Sequence, residues 1–264
     1  MTIDDARSSD GHRRARLPDG RPAFIKSRRD APAGFFAAES RGLEALRSTA
    51  TLRVPEVFSV DEHSIVLEDV GDGRAGPRDW EDAGRALARL HRHAYDRFGF
   101  ASDGFCGDSP QDNSADKDGH RFFAERRLLP QARRAFDAGL LTSADSRRVD
   151  SLCERLRELL PAARPALIHG DLWTGNLHAC VSGELALIDA GAVHHGWAEC
   201  DLAMLTLFGE PAPAFFVAYQ DERGIDSDWR ERAPVLNVYH LLNHLNLFGG
   251  SYLATVRSVL QRFA

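Results

Sequence analysis

The sequence predicts an α+β chain of two lobes, a small β-rich N-terminal lobe over residues 1–70 and a larger, mainly helical lobe over residues 71–264. Three observations predict it. Strand-like runs crowd the first seventy residues around a single helical segment. Helical periodicity dominates the remainder. Within residues 167–191 (LIHGDLWTGNLHACVSGELALIDAG) two short apolar runs lead straight into polar groups, at His169-Gly170-Asp171 and at Asp189.

In chain order, residues 12–17 and 21–26 flank Pro18-Asp19-Gly20, which is turn chemistry between two strands. Residues 33–48 read as a helix with Phe35, Phe36, Leu43 and Leu46 on one face, and residues 64–70 as a strand. Residues 79–93 form a helix that opens on Asp79, a suitable N-cap. Helices over 120–138 and 143–160 follow, the second opening on Ser143. After the two short strands come helical stretches over 199–208, 211–222, 229–246 and 249–263.

Composition narrows the function classes. The net charge is −6 and the arginines interleave with acids, so nothing marks a nucleic-acid partner. Four cysteines, none at C-x-x-C spacing, argue against a zinc knuckle or thioredoxin-like motif and fit reduced thiols. The N-terminus has no apolar h-region and no run approaches the ~20 apolar residues of a membrane span, so no membrane partner and a cytoplasmic location are expected.

Two constellations carry chemistry. Glu39 lies between Phe36 and Leu43 on the apolar face of its helix, where an unpaired carboxylate is costly to desolvate. Lys26, at the end of the preceding strand, is the expected partner. A buried lysine–glutamate pair of this kind positions the lysine on nucleotide phosphates in protein-kinase-like sites. The second constellation is Asp171, Asn176 five residues later, and Asp189 at the end of the following apolar run. Kinase catalytic loops place an aspartate that orients the attacking hydroxyl five residues before a metal-binding asparagine, with a further metal-binding aspartate after a hairpin. Oxygen ligands few in number suit Mg²⁺.

Other motifs carry less. Gly71-Asp72-Gly73-Arg74-Ala75-Gly76 matches G-x-G-x-x-G, but no apolar strand follows the next helix to complete a dinucleotide-binding unit. There is no P-loop motif. His240 and His244 stand four apart among leucines, the setting of core histidines rather than zinc ligands. His194-His195 is either a substrate contact or a plain loop. The acids of Glu199-Cys200-Asp201 either serve their helix dipole or hold the catalytic loop from behind.

On these residues the chain resembles the fructosamine kinase (ketosamine-3-kinase) family, within the wider aminoglycoside-phosphotransferase and protein-kinase-like group. The resemblance runs through AFIK (23–26), FFAAESRGLEALRST (35–49), FFAERRLLPQ (122–131), HGDLWTGN (169–176), ECDLAMLTLFG (199–209) and HLLNHLNLFGGSYL (240–253). It implies ATP- and Mg²⁺-dependent phosphorylation of the 3-hydroxyl of a ketosamine, free or protein-bound, leading to deglycation. Carried over, Asp171 is the catalytic base and Asn176 and Asp189 hold Mg²⁺. Lys26 and Glu39 form the phosphate-positioning pair, and Glu68, Asp69 and Val70 form the adenine-facing hinge. Trp173 and Asn113, with His194 and His195, stand on the substrate side.

The chain departs from the family pattern in places. Only Ser8-Ser9-Asp10-Gly11 precedes the hairpin where the family has a first strand and a glycine-rich phosphate loop, so an abbreviated N-terminal lobe is expected. Ala115 and Gly119 replace family tryptophans, and Asp189-Ala190-Gly191 replaces Asp-Pro-Ala. These changes imply an acceptor of different size or polarity. Two further readings share the fold: a phosphotransferase for an aminoglycoside or other small alcohol, and a nucleotide-binding pseudokinase. Intact Asp171, Asn176 and Asp189 argue against the second.

Overall fold

The computed structural model describes residues 11–264; Ser8, Ser9 and Asp10, and with them the start of the predicted N-terminal lobe, lie outside the described residues. The Pro18-Asp19-Gly20 turn closes the expected hairpin of β1 (Gly11–Arg16) and β2 (Pro22–Ser27), with His12 opposite Lys26. The Gly20 amide donates to the Leu17 carbonyl at 2.9 Å, and the Asp19 carboxylate accepts from the Arg21 amide at 3.0 Å. With β3 (Val57–Val60) and β4 (Ser64–Glu68) they form an antiparallel sheet of order β1-β2-β4-β3. Strand alternation puts Ala23 and Ile25 on one face, under Ala15, Leu17 and Phe58. It puts Phe24 and Lys26 on the other, facing the cleft.

Strand β4 stops at Glu68, two residues before the predicted end. The Asp69 carboxylate accepts from the Gly71 amide at 2.9 Å, and this turn bends the chain out of the sheet. Helix α1 (Phe35–Ser48) starts two residues later than predicted because Gly34 takes a left-handed conformation at φ 80°. Strand β3 had no period-2 signal clear enough to read beside Pro55.

The larger lobe is mainly helical. Helix α2 (Pro77–Leu90) buries Leu87 and Leu90 completely, worth about 2 kcal/mol each. A small hairpin, β5 (Gly104–Cys106) with β6 (Ser109–Gln111), was not anticipated. The predicted helix 120–138 is three pieces: α3 (Gly119–Phe123), a π-helical turn (Ala124–Leu128) and α4 (Leu129–Asp137). Helix α5 (Ser143–Leu159) is capped by Thr142 rather than Ser143, through a reciprocal pair with Asp145. Two ribbons follow: β7 (Ala166–Ile168) with β10 (His194–Gly196), and β8 (Leu177–Ala179) with β9 (Leu185–Leu187). Then come α6 (Ala198–Met204), α7 (Pro213–Arg223), the buried α8 (Trp229–Phe248) and α9 (Leu253–Phe263). Helix α7 packs along α2 and α8 packs on α6. No described helix is long and apolar enough to cross a membrane.

Candidate active site

The loops that leave β7 and β9 open into a cleft of about 470 Å³ between the sheet lobe and the helical lobe. Lys26, Glu39, Asp171, Trp173, Asn176 and Asp189 all line it. The expected pair forms: Lys26 Nζ donates to Glu39 Oε1 at 2.5 Å, with both side chains nearly buried. Lys26 also bonds Asp189. Burial alone depresses the Lys26 pKa, but Glu39 and Asp189 outweigh it and hold the ammonium above its ordinary value. Burial pushes Asp189 upward, and Lys26 more than reverses this, so Asp189 stays ionised. Its φ of 58° aims the carboxylate into the cleft, a conformation that aspartate tolerates better than most residues.

Asp171 sits at the cleft floor, its side chain 24 % exposed. Burial raises its pKa to about 6; His169 opposes the shift, while Asp189 and Asp201 add to it. A carboxyl poised there is suited to proton transfer near neutral pH. Asn176 is buried, and its amide nitrogen donates to the Asp171 carbonyl at 2.8 Å. That bond uses the nitrogen and leaves the amide oxygen as the available ligand atom, in the cleft that the ionised Asp189 also lines. This donor set is hard oxygen, as Mg²⁺ requires.

The His169-Gly170-Asp171 loop is held from beneath by Asp201. One carboxylate oxygen accepts from the His169 amide at 2.8 Å and the other from the Gly170 amide at 2.9 Å. His91 Nε2 donates a third bond at 3.2 Å, and the Tyr219 hydroxyl lies 2.9 Å from His91 Nδ1. Burial pulls the Asp201 pKa upward, but the bonds from His91 and His169 prevail and keep it below the usual range. His169 donates from Nε2 to the Ile188 carbonyl at 2.8 Å, tying the Asp171 loop to the Asp189 loop. Gly170 takes φ 79°, and a side chain there would collide with the Ala192 carbonyl. Of the two roles open for Glu199-Cys200-Asp201, Asp201 takes the loop-holding one, while Glu199 pairs with Arg232 at 2.7 Å. The signal available in sequence was that Asp201 shares its helix face with Ala198 and Leu205.

A second cavity of about 170 Å³ adjoins the cleft and shares Lys26. Phe24, Pro55, Leu67 and Ile188 give it apolar walls, and Glu68, Asp69 and Val70 line its edge. The side chains of the first two are engaged elsewhere. Glu68 bonds Arg53, and Asp69 pairs with Arg14 at 3.0 Å. The Val70 carbonyl accepts from the Val181 amide at 3.1 Å, joining the lobes.

Three residues predicted on the substrate side do not line the cleft. Asn113 is 1 % exposed and accepts from Arg127 at 2.7 Å while donating to the Ser102 carbonyl at 3.1 Å. It therefore fixes the loop of the β5–β6 region. His194 is buried, donating from Nδ1 to the Ala192 carbonyl at 2.8 Å, because its strand pairs with β7 inside the lobe. His195, one residue on, points to the opposite face of that strand and stacks on Tyr95 at 3.7 Å. The cleft wall is instead completed by Phe35, Phe36, Phe105 and Trp173, the last 41 % exposed with its ring against Gly175.

Gly42 couples the two halves. A Cβ at this α1 position would lie 1.9 Å from the Ala190 carbonyl oxygen, next to Asp189. Gly42→Ala is expected to push α1, and Glu39 with it, away from the Asp189 loop. Turnover should fall by about 10²-fold, the cost of a misplacement near 1 Å. Steady-state kinetics and thermal melting check this, and unchanged turnover would count against the coupling.

The sequence pattern of the family described as "Fructosamine kinase" matches residues 9–264. A probable ketoamine kinase of Enterococcus faecium is 34% identical over 249 residues, 92% of this chain and 88% of that protein. A crystal structure from Thermobifida fusca, assigned as a fructosamine-3-kinase, superposes with a TM-score of 0.88 at 36% identity, covering 96% of this chain and 92% of that one. The ADP-bound aminoglycoside phosphotransferase APH(2″)-Ib superposes with a TM-score of 0.62 at 14% identity, covering 98% and 95%, which shows a shared fold.

Proposed function

The chain belongs to the fructosamine kinase family and is an ATP-dependent phosphotransferase, and from that premise we propose that it transfers the γ-phosphoryl group of ATP to the 3-hydroxyl of a ketosamine, leading to release of the amine. The single observation that carries the reading is the convergence of Lys26, Glu39, Asp171, Asn176 and Asp189 on one cleft. We assign nucleotide binding to residues 1–70 and acceptor binding to residues 71–264. Adenine enters the apolar cavity at Glu68, Asp69 and Val70. Lys26, oriented by Glu39, meets the phosphates, whose spread charge in the transition state it stabilises.

Asn176 and Asp189 would hold Mg²⁺, which would offset charge on the transferring phosphates. Asp171 orients the acceptor hydroxyl and takes its proton as the oxygen attacks phosphorus. The aromatic wall suits a sugar: Trp173 offers a face for its C–H groups.

The test is an acceptor panel with Mg-ATP, containing ribulose-lysine, fructose-lysine, a glycated peptide, an aminoglycoside and a simple alcohol. The expected result is turnover on ketosamines, with the phosphate located at the 3-position by phosphorus–proton NMR. Faster turnover of the aminoglycoside than of any ketosamine would overturn the assignment.

A further inference from the structure

Behind Asp171 the floor of the cleft holds two side chains that phosphoryl transfer does not use. Cys106, at the end of β5, is 2 % exposed, and His240, in the middle of α8, is 4 % exposed. Cys106 Sγ lies 3.9 Å from His240 Nδ1, and that nitrogen lies 3.7 Å from Asp171 Oδ1. All three ligand atoms fall within 4.8 Å of one another, and among the described residues they are the one His, Cys, Asp or Glu cluster of this kind.

We propose that Cys106 Sγ, His240 Nδ1 and Asp171 Oδ1 form a second metal site, selective for a thiophilic divalent cation such as Zn²⁺, whose occupation takes Asp171 out of proton transfer and switches the enzyme off.

The chemistry of the three atoms favours it. Zinc–sulfur bonds of about 2.3 Å and zinc–nitrogen or zinc–oxygen bonds of about 2.0 Å, set tetrahedrally, need ligand atoms roughly 3.3–3.6 Å apart. The two separations at His240 would close by only a few tenths of an ångström. Burial holds His240 down to about 3, so its imidazole is neutral, the form that ligates metals. The Asn243 amide donates to Cys106 Sγ at 3.3 Å and to the Cys106 carbonyl at 3.1 Å. Burial and the nearby Asp171 carboxylate push the Cys106 thiol well above its ordinary pKa, so the ion binds with release of the thiol proton, while the Asn243 donor fixes the direction of the sulfur.

Selectivity follows from the sulfur. A soft thiolate takes Zn²⁺ and discriminates against Mg²⁺, which prefers oxygen and stays with Asn176 and Asp189. Asp171 lines the open cleft, which gives the ion a route in. An ion on Asp171 Oδ1 ties up the lone pair the acceptor proton needs. Binding therefore competes with catalysis by geometry.

The binding half stands on geometry alone, and the inhibitory half rests on Asp171 being the base. The experiment separates them. Co²⁺ alone, added to the full chain without nucleotide, should produce a thiolate-to-cobalt charge-transfer absorption at one equivalent, which Zn²⁺ then removes. Cys106→Ser and, as a sterically different variant, Cys106→Ala should lack it. Asn243→Ala should keep it with affinity reduced by about 10–100-fold. No charge-transfer absorption in the unsubstituted protein, or its survival in either cysteine variant, overturns the site. In Mg-ATP turnover on a ketosamine, Zn²⁺ should inhibit the unsubstituted enzyme, while Cys106→Ser keeps its basal rate and needs about tenfold or more Zn²⁺ for the same inhibition. Equal sensitivity of the two overturns the switch. If no acceptor turns over, the cobalt absorption still decides the site.

Discussion

Asp171→Asn lowers kcat by about 10²–10⁴-fold, the range a positioned general base contributes, and at the same time makes the fold more stable at pH 8. The second effect follows from the sign of the shift. The Asp171 pKa in the folded chain is about 6, above the ordinary value of 3.8. A carboxyl raised on folding costs stability once it must ionise. The cost starts as pH rises through the unfolded value and is complete above the folded one. It amounts to at most about 3 kcal/mol, and asparagine, uncharged and of the same shape, escapes it. The variant's Tm should exceed the parent's by about 2–8 °C at pH 8 and converge with it near pH 4. In the parent enzyme, kcat/KM should fall on the acid side with a midpoint near 6. A variant that melts lower at pH 8, or one that keeps its turnover, would remove Asp171 from the role of strained base.

Asp201→Asn should cost both stability and rate, for a different reason. The carboxylate accepts from two consecutive backbone amides and from His91, and it is 0 % exposed. Asparagine offers one acceptor oxygen in place of two, so at least one amide of the His169-Gly170 turn faces a donor. A buried donor left unpaired costs about 1–3 kcal/mol. The loop that carries Asp171 loses its anchor, and kcat should fall by about 10²-fold. The negative charge of Asp201 helps to raise the Asp171 pKa, so its removal should also move the acid limb of the pH profile below 6. The folded pKa of Asp201 is depressed, so its contribution is present above the unfolded carboxylate range and fades as pH falls through the folded value. The gap in stability between parent and variant should therefore narrow below pH 4. Glu199→Gln, in the same helical turn, touches only the Arg232 pair and serves as the control. Parental stability in Asp201→Asn would show that the loop is held by other means.

The parts of the site that could be read in advance share one property: each follows from a local pattern. Lys26 sits at the end of an alternating run, Glu39 on an apolar helix face, and Asp171 and Asn176 at fixed spacing in one loop. Residues defined by who packs behind them could not be read this way. His194 and His195 looked like loop residues near Asp189 because a strand of three residues has too little period to notice, yet pairing with β7 turns one inward and the other outward. Asn113 stands on the substrate side by the family resemblance alone, and the buried guanidinium of Arg127, in a π-helical turn, claims it.

What the sequence determined by itself is the order of lobes, the cation–carboxylate pair and the spacing of Asp171, Asn176 and Asp189, because hydrophobic period and loop spacing act over a few residues. Tertiary structure alone decided that Asp201 grips the His169-Gly170 turn across 32 residues, that Gly42 must lack a side chain beside Ala190, and that Cys106 and His240 meet behind Asp171. Those choices depend on which backbone groups and side chains are buried against one another, and burial sets both the cost of an unpaired group and the pKa of a paired one.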